Sequence, residues 1–172
     1  MPVEKKRIPI NKIRIKNEVK TWKGLKWSED HFNNIRDNYK DTPYYNTYED
    51  EIKKIYSKTY EKLIDLNTSL INFLKKAFDI DTKIVFSSDL GFKSKSTQRL
   101  VDLVEALGGD VYLSGPMGRN YLDLKLFEKR GIKVIFQEFK HPVYKQRYEG
   151  FVPNMAAIDV LFNVGKMPSE ED

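Results

Sequence analysis

The sequence contains no cysteine, which excludes disulfides, thiolate nucleophiles and cysteine-held zinc and is compatible with a reducing compartment. Histidine is almost as scarce. His31 and His141 lie far apart in the chain, and a transition-metal site would need both of them plus carboxylates, so no metal site is expected. Neither a Walker loop nor the GxGxxG fingerprint occurs, and the cofactor is left unassigned. No run approaches the ~18 apolar residues of a membrane span, and the N-terminus lacks the apolar core of a signal peptide, so a cytoplasmic chain with no membrane span is expected. Charge of one sign does not dominate either. With 30 basic and 25 acidic residues the net charge is only +5, too small and too dispersed for a nucleic-acid footprint, and nucleic acid is not expected as a partner.

The one basic concentration is at the start, where Lys5, Lys6, Arg7, Lys12, Arg14, Lys16, Lys20, Lys23 and Lys26 outnumber their acidic neighbours. It reads either as a solvated face or as an attractor of phosphates or an anionic membrane surface. A length of 172 residues suits one domain, with a basic extended segment over 1–27, a helical region over 28–78, an α/β region over 83–165 and a polar tail over 166–172.

Ile8, Ile10, Ile13 and Ile15 alternate loosely with polar residues, which predicts short extended segments, with Pro9 at an edge. Ser28 is the expected cap of a helix running to about Tyr39, with Glu29 and Asp30 in its first turn, and Thr42 and Pro43 end it. From a second cap at Thr47, apolar residues recur at helical spacing to Phe78 as one helix or two, with Asn67 and Thr68 as the restart point. The pattern then changes. Strands at Lys83–Ser87, Asp110–Ser114 and Ile132–Glu138 alternate with helices at about 97–107 and 121–130, which predicts an α/β fold with a parallel, Rossmann-like βαβαβ sheet. A last helix is expected from a cap at Asn154, spanning Met155 to Asn163 and ending near Gly165.

Ligands of such sheets bind beyond the carboxyl ends of the strands, so three loops carry the candidate chemistry. After the first strand, Ser94, Lys95, Ser96 and Thr97 open a helix whose free N–H groups can take a phosphate, or whose Ser96 or Thr97 simply caps it. After the second, Ser114, Gly115, Pro116 and Gly118 form a tight turn followed by Arg119 and Tyr121, which suits close backbone approach to a ligand or a plain turn. After the third comes a long aromatic loop with His141, a general base or substrate hydrogen-bonding group, or a histidine packed under Tyr144 and Tyr148. Asp159 stands among Ala156, Ala157, Ile158, Val160, Leu161 and Phe162, where a buried charge needs a partner; it reads as a structural anchor or as a residue facing the site, and the anchor, paired with an arginine, is the expectation.

The stretches SGPMGRNYLD and QEFKHPVYKQRYEGFVPN, with DTKIVFSSDLG and KSTQRLVDLVEALGGDVYL before them, closely resemble the WbqC-like family in order and spacing, and a looser match extends over about residues 8–166. Family members carry an earlier strand followed by a His-Gln-Pro motif and a Leu-Pro-Trp segment, which this sequence lacks; the expectation is a truncated or divergent short form. The resemblance implies the setting of surface-polysaccharide and O-antigen gene clusters and a transferase-like enzyme acting on a nucleotide-sugar or other phosphorylated small molecule. In that reading Lys95, Arg119 and the helix N-termini hold phosphate, while His141 and Tyr144 face the acceptor. The alternative is a non-catalytic module that binds a ligand or a partner chain, a second copy included, through an open sheet edge.

Overall fold

The computed structural model describes residues 1–4 and 7–166; Lys5 and Lys6 of the basic run, and the tail from Met167 onward, lie outside the described residues. The chain forms two compact units, Met1–Asp81 with His141–Asp172, and Thr82–Lys140.

The first unit is helical, with α1 at Trp27–Tyr39, α2 at Tyr45–Ser57, α3 at Leu63–Ala77 and, from the far end of the chain, α6 at Ala157–Val164. Each presents an apolar stripe at helical spacing, and Trp27, Tyr45, Ile52, Ile55, Leu66, Phe73, Leu161 and Phe162 meet in one core. The expected caps are corrected. No side chain caps α1, α2 or α6: α1 begins at buried Trp27 ahead of Ser28, α2 at buried Tyr45 ahead of Thr47, and Asn154 sits at φ 62 in the left-handed region instead of capping α6. Burying a large aromatic ring outweighs the roughly 1 kcal/mol of a side-chain cap.

The stretch from Tyr48 to Phe78 is two helices, and the break falls at residues 58–62 instead of Asn67 and Thr68. Tertiary pairing sets it there. The backbone of Ile15 donates to Glu61 O at 2.9 Å and that of Leu63 to Ile13 O at 3.0 Å, while Arg14 bridges Lys62, so the isoleucine-rich segment takes up the backbone groups that a continuous helix would have used.

The second unit holds α4 (Ser96–Ala106), β1 (Val111–Ser114), a 3-10 turn over Pro116–Asn120, α5 (Leu124–Glu128) and β2 (Lys133–Phe136). β1 and β2 are parallel, with Tyr112 opposite Val134 and Ser114 opposite Phe136. Side chains alternate across the sheet. Tyr112 and Val134 pack with Val101, Phe127 and Ile132 beneath α4 and α5, and Tyr112 stacks on Phe127 at 5.1 Å. On the other face Val111, Leu113 and Ile135 are exposed.

Among the described residues the structure is thus a mixed helix and strand fold with six α-helices and a two-stranded parallel sheet, not the three-stranded Rossmann-like βαβαβ sheet expected. The missing strand is Lys83–Ser87, where Ile84, Val85 and Phe86 are exposed and form no ladder. Arg99 of α4 holds this stretch by another route, donating to Phe92 O at 3.0 Å and Ser87 O at 3.3 Å, so part of its backbone is served by a side chain. Among the described residues no helix is long and apolar enough to cross a membrane.

Candidate functional site

In the α/β unit, the loops after β1 and ahead of α4 carry most of the expected phosphate-binding residues. α4 starts with no side-chain cap; Lys95 precedes it in an extended conformation and Ser96 has φ 51. Its first N–H groups are therefore not taken by a capping side chain, as anion binding would require. Ser94 and Thr97 serve the fold. Ser94 donates to the Asp102 carboxylate, which also accepts from Gln98 Nε2 at 2.7 Å, and these two bonds, Ser94 first, hold the Asp102 carboxyl below its usual range. Thr97 is buried and its Oγ1 accepts from the Asp123 backbone N–H at 3.2 Å, tying the start of α4 to the end of the turn after β1.

Gly118 and Ser114 interlock in that turn. Ser114 is only 2% exposed, and its Oγ donates to Gly115 O at 3.0 Å. An added Cβ at Gly118 would overlap Ser114 Oγ and stand 3.1 Å from Leu122 Cδ1, so packing alone demands this glycine. A Cβ at Gly115 would meet nothing within 4 Å. Arg119 lies over the Phe136 ring at 4.3 Å, with Glu138 Oε1 3.7 Å from its guanidinium, and Tyr121 is exposed.

His141 and Tyr144 belong to the helical unit. His141 stacks near Tyr144 and tilts against Phe151 at 5.7 Å, so Phe151 takes the place expected of Tyr148. Its Nδ1 lies 2.9 Å from Pro142 O; a carbonyl only accepts, so Nδ1 is the donor in this contact.

The denser constellation surrounds Asp159, in the first turn of α6 and 5% exposed. Its Oδ1 accepts from Tyr39 Oη at 3.0 Å, and its Oδ2 from Tyr144 Oη at 2.7 Å and Gln146 Nε2 at 3.0 Å. The partners are phenols and an amide, not the arginine expected. Burial and then the Asp159 carboxylate push the Tyr39 phenol well up, and burial and then the hydrogen bond to Asp159 push Tyr144 up to about 12. Both phenols are therefore neutral donors at ordinary pH.

The neighbouring loop is fastened to the same place. Gln146 also donates to Val152 O at 3.0 Å and accepts from Val152 N at 2.8 Å, while Arg147 donates to Asp37 O at 2.8 Å and Asn38 O at the end of α1 and pairs with Asp41. Between α1, this loop and α6 lies a cavity of about 440 Å³, lined by Ile35, Tyr39, Gln146, Tyr148, Met155 and Asp159 among others. That volume suits a small organic ligand. A second cleft of about 660 Å³ in this unit is lined by Lys26, Arg36 and Lys53 but also by Glu29 and Glu49, whose charges offset them. Among the described residues no three His, Asp or Glu side chains are grouped to hold a metal ion.

The sequence marked Asp159 and Tyr144 but missed Tyr39, Gln146 and Arg147. Asp159 announces itself as a carboxylate in an apolar helix, whereas Tyr39 reaches it from 120 positions away with no local signal.

A family model described as the WbqC-like protein family matches residues 1–170. The chain is similar to the uncharacterized protein Rv1507c of Mycobacterium tuberculosis, with 30% identity over 144 residues that cover 83% of this chain and 62% of that protein, so it spans less than two thirds of this relative's length. No solved structure matches the chain.

Proposed function

For a chain that belongs to the WbqC-like protein family, we propose a transferase-like role in surface-polysaccharide or O-antigen assembly, with a phosphorylated or nucleotide-activated sugar as the small-molecule partner. The observation that carries this reading is the cavity of about 440 Å³ in the helical unit, whose lining includes the buried Asp159 carboxylate with Tyr39 and Gln146, two of its hydrogen-bond partners, and the apolar side chains of Ile35, Val152 and Met155. A sugar ring offers the matching surface, hydroxyl groups for the polar side chains and C–H faces for the apolar ones. His141 and Tyr144 are the candidate acceptor-facing groups of this unit. The α/β unit, taken by itself, offers Lys95 and the uncapped start of α4 as candidate contacts for a separate phosphate, with Arg119 as a further cation of that unit.

A thermal-shift and calorimetric titration with UDP-glucose, glucose 1-phosphate and UDP tests the reading. A ligand confined to the folded state adds about 2.7 kcal/mol of stability at a hundred times its Kd, a shift that is readily measured. Expected is a shift with a sugar-bearing ligand that Gln146→Ala reduces. No shift with any of the three, together with self-association that rises with concentration, would instead support a non-catalytic binding module. That second reading is favoured by the exposed apolar sheet face of Val111, Leu113 and Ile135.

A further inference from the structure

Asp159 carries a charge that none of its three hydrogen-bond partners neutralises, and the positive end of α6, in whose first turn it lies, offsets only part of it. It is 5% exposed, and the three donors on its oxygens, Tyr39, Tyr144 and Gln146, are all neutral. A carboxylate offers about four acceptor positions, of which these fill three. The remaining electrostatics of the cavity point the same way. Its α1 wall, Asn34, Ile35, Asn38 and Tyr39, belongs to the C-terminal half of that helix, the negative end of the dipole, and Glu149 also lines it. The one guanidinium on the wall, that of Arg147, is already met by the carbonyls of Asp37 and Asn38 and the carboxylate of Asp41. Buried charges are stabilised by opposite ones, and a cation entering this cavity would find the Asp159 carboxylate, the Tyr39 phenol oxygen and Glu149 in its lining. A phosphate would meet the same carboxylate as a repulsive charge.

We propose that the helical unit's cavity takes the ammonium group of an amine-bearing small ligand, with Asp159 as its counter-ion. The inference rests on the sugar-binding reading above and narrows it to an amino sugar, whose C–H faces would lie against Ile35, Val152 and Met155. An N-acetylated or fully hydroxylated sugar of the same size lacks the charge that the cavity selects.

The test is calorimetric titration of the full chain, slightly below neutral pH, with D-glucosamine, N-acetyl-D-glucosamine, D-glucose and n-butylamine. Expected is glucosamine binding at least tenfold tighter than glucose or N-acetylglucosamine, with Asp159→Asn abolishing the preference while its circular dichroism remains that of the wild type. The ranking of the four probes on the wild-type chain decides the matter even if Asp159→Asn fails to fold. Equal binding of glucosamine, N-acetylglucosamine and glucose overturns the ammonium site and leaves the sugar reading standing. Binding of n-butylamine without any sugar upholds the ammonium site and removes the sugar reading. Binding of none of the four overturns both.

Discussion

Replacing Gly118 by alanine isolates one steric contact. The backbone at Gly118 is not in the left-handed region, so alanine meets no conformational penalty and the whole effect comes from its Cβ. That atom would overlap Ser114 Oγ and crowd Leu122 Cδ1 at 3.1 Å and Phe136 Cε1 at 3.3 Å. Ser114 closes β1 and is 2% exposed, so its hydroxyl can move aside only by giving up the bond to Gly115 O, worth about 0.5–1.5 kcal/mol. Overpacking a filled site costs about 1–3 kcal/mol, and roughly 2 kcal/mol is the expected loss for G118A. Both tryptophans, Trp22 and Trp27, lie in the helical unit, so their fluorescence will not report it. Amide hydrogen exchange followed by mass spectrometry on peptides from β1 and α5 will, and 2 kcal/mol corresponds to exchange faster by about 30-fold. Removing the colliding oxygen should relieve the crowding, so S114A/G118A should recover at least about 1 kcal/mol relative to the sum of the single variants. Unchanged exchange in G118A, or additive losses in the double variant, would refute the packing account and return Gly118 to a ligand-contacting role.

The tyrosines make a pH prediction. Burial, followed by hydrogen bonds to Asp159 and Glu49 respectively, pushes Tyr144 and Tyr45 up to about 12, and Tyr39 is raised as well. The fold favours the neutral phenols, so their stabilisation is fully present below the unfolded value near 10 and is lost as pH rises from about 10 to about 12; Tm should fall across that window, and a flat profile would contradict the assignment. Gly165 ends α6 at φ 82, and a Cβ there would stand 2.5 Å from the Tyr44 ring, so G165A should cost about 2–3 kcal/mol of stability once strain and overpacking combine, read as a lower urea midpoint of the tryptophan signal. An unchanged midpoint would mean that the end of α6 does not pack on Tyr44.

The candidate site was legible in the sequence only as isolated members. Asp159 stood out because a carboxylate inside Ala156–Phe162 contradicts the run around it, and Tyr144 because it lies in a long aromatic loop. An arginine was the natural partner to expect for a buried carboxylate, yet Tyr39, Tyr144 and Gln146 hold it, since three neutral donors satisfy its oxygens without bringing a second charge out of water. Thr97 and Gly118 were legible as loop residues suited to phosphate, but the same small or hydroxylated side chains serve packing, and only coordinates distinguish the two uses.

By itself the sequence determined the family, through residues of fixed spacing across most of the chain, and the elements whose periodicity is local: four of the helices, both paired strands and the end of the last helix near Gly165. These depend on patterns a few residues long, which side-chain direction converts directly into a buried face. Tertiary structure decided where α2 ends and α3 begins, because the break is made by pairing with Ile13–Ile15. It also decided that Lys83–Ser87 forms no strand in spite of its β-rich composition, since a strand exists only where a neighbour takes its backbone groups. And it alone brought Tyr39 to Asp159, a contact between distant segments that no local pattern encodes.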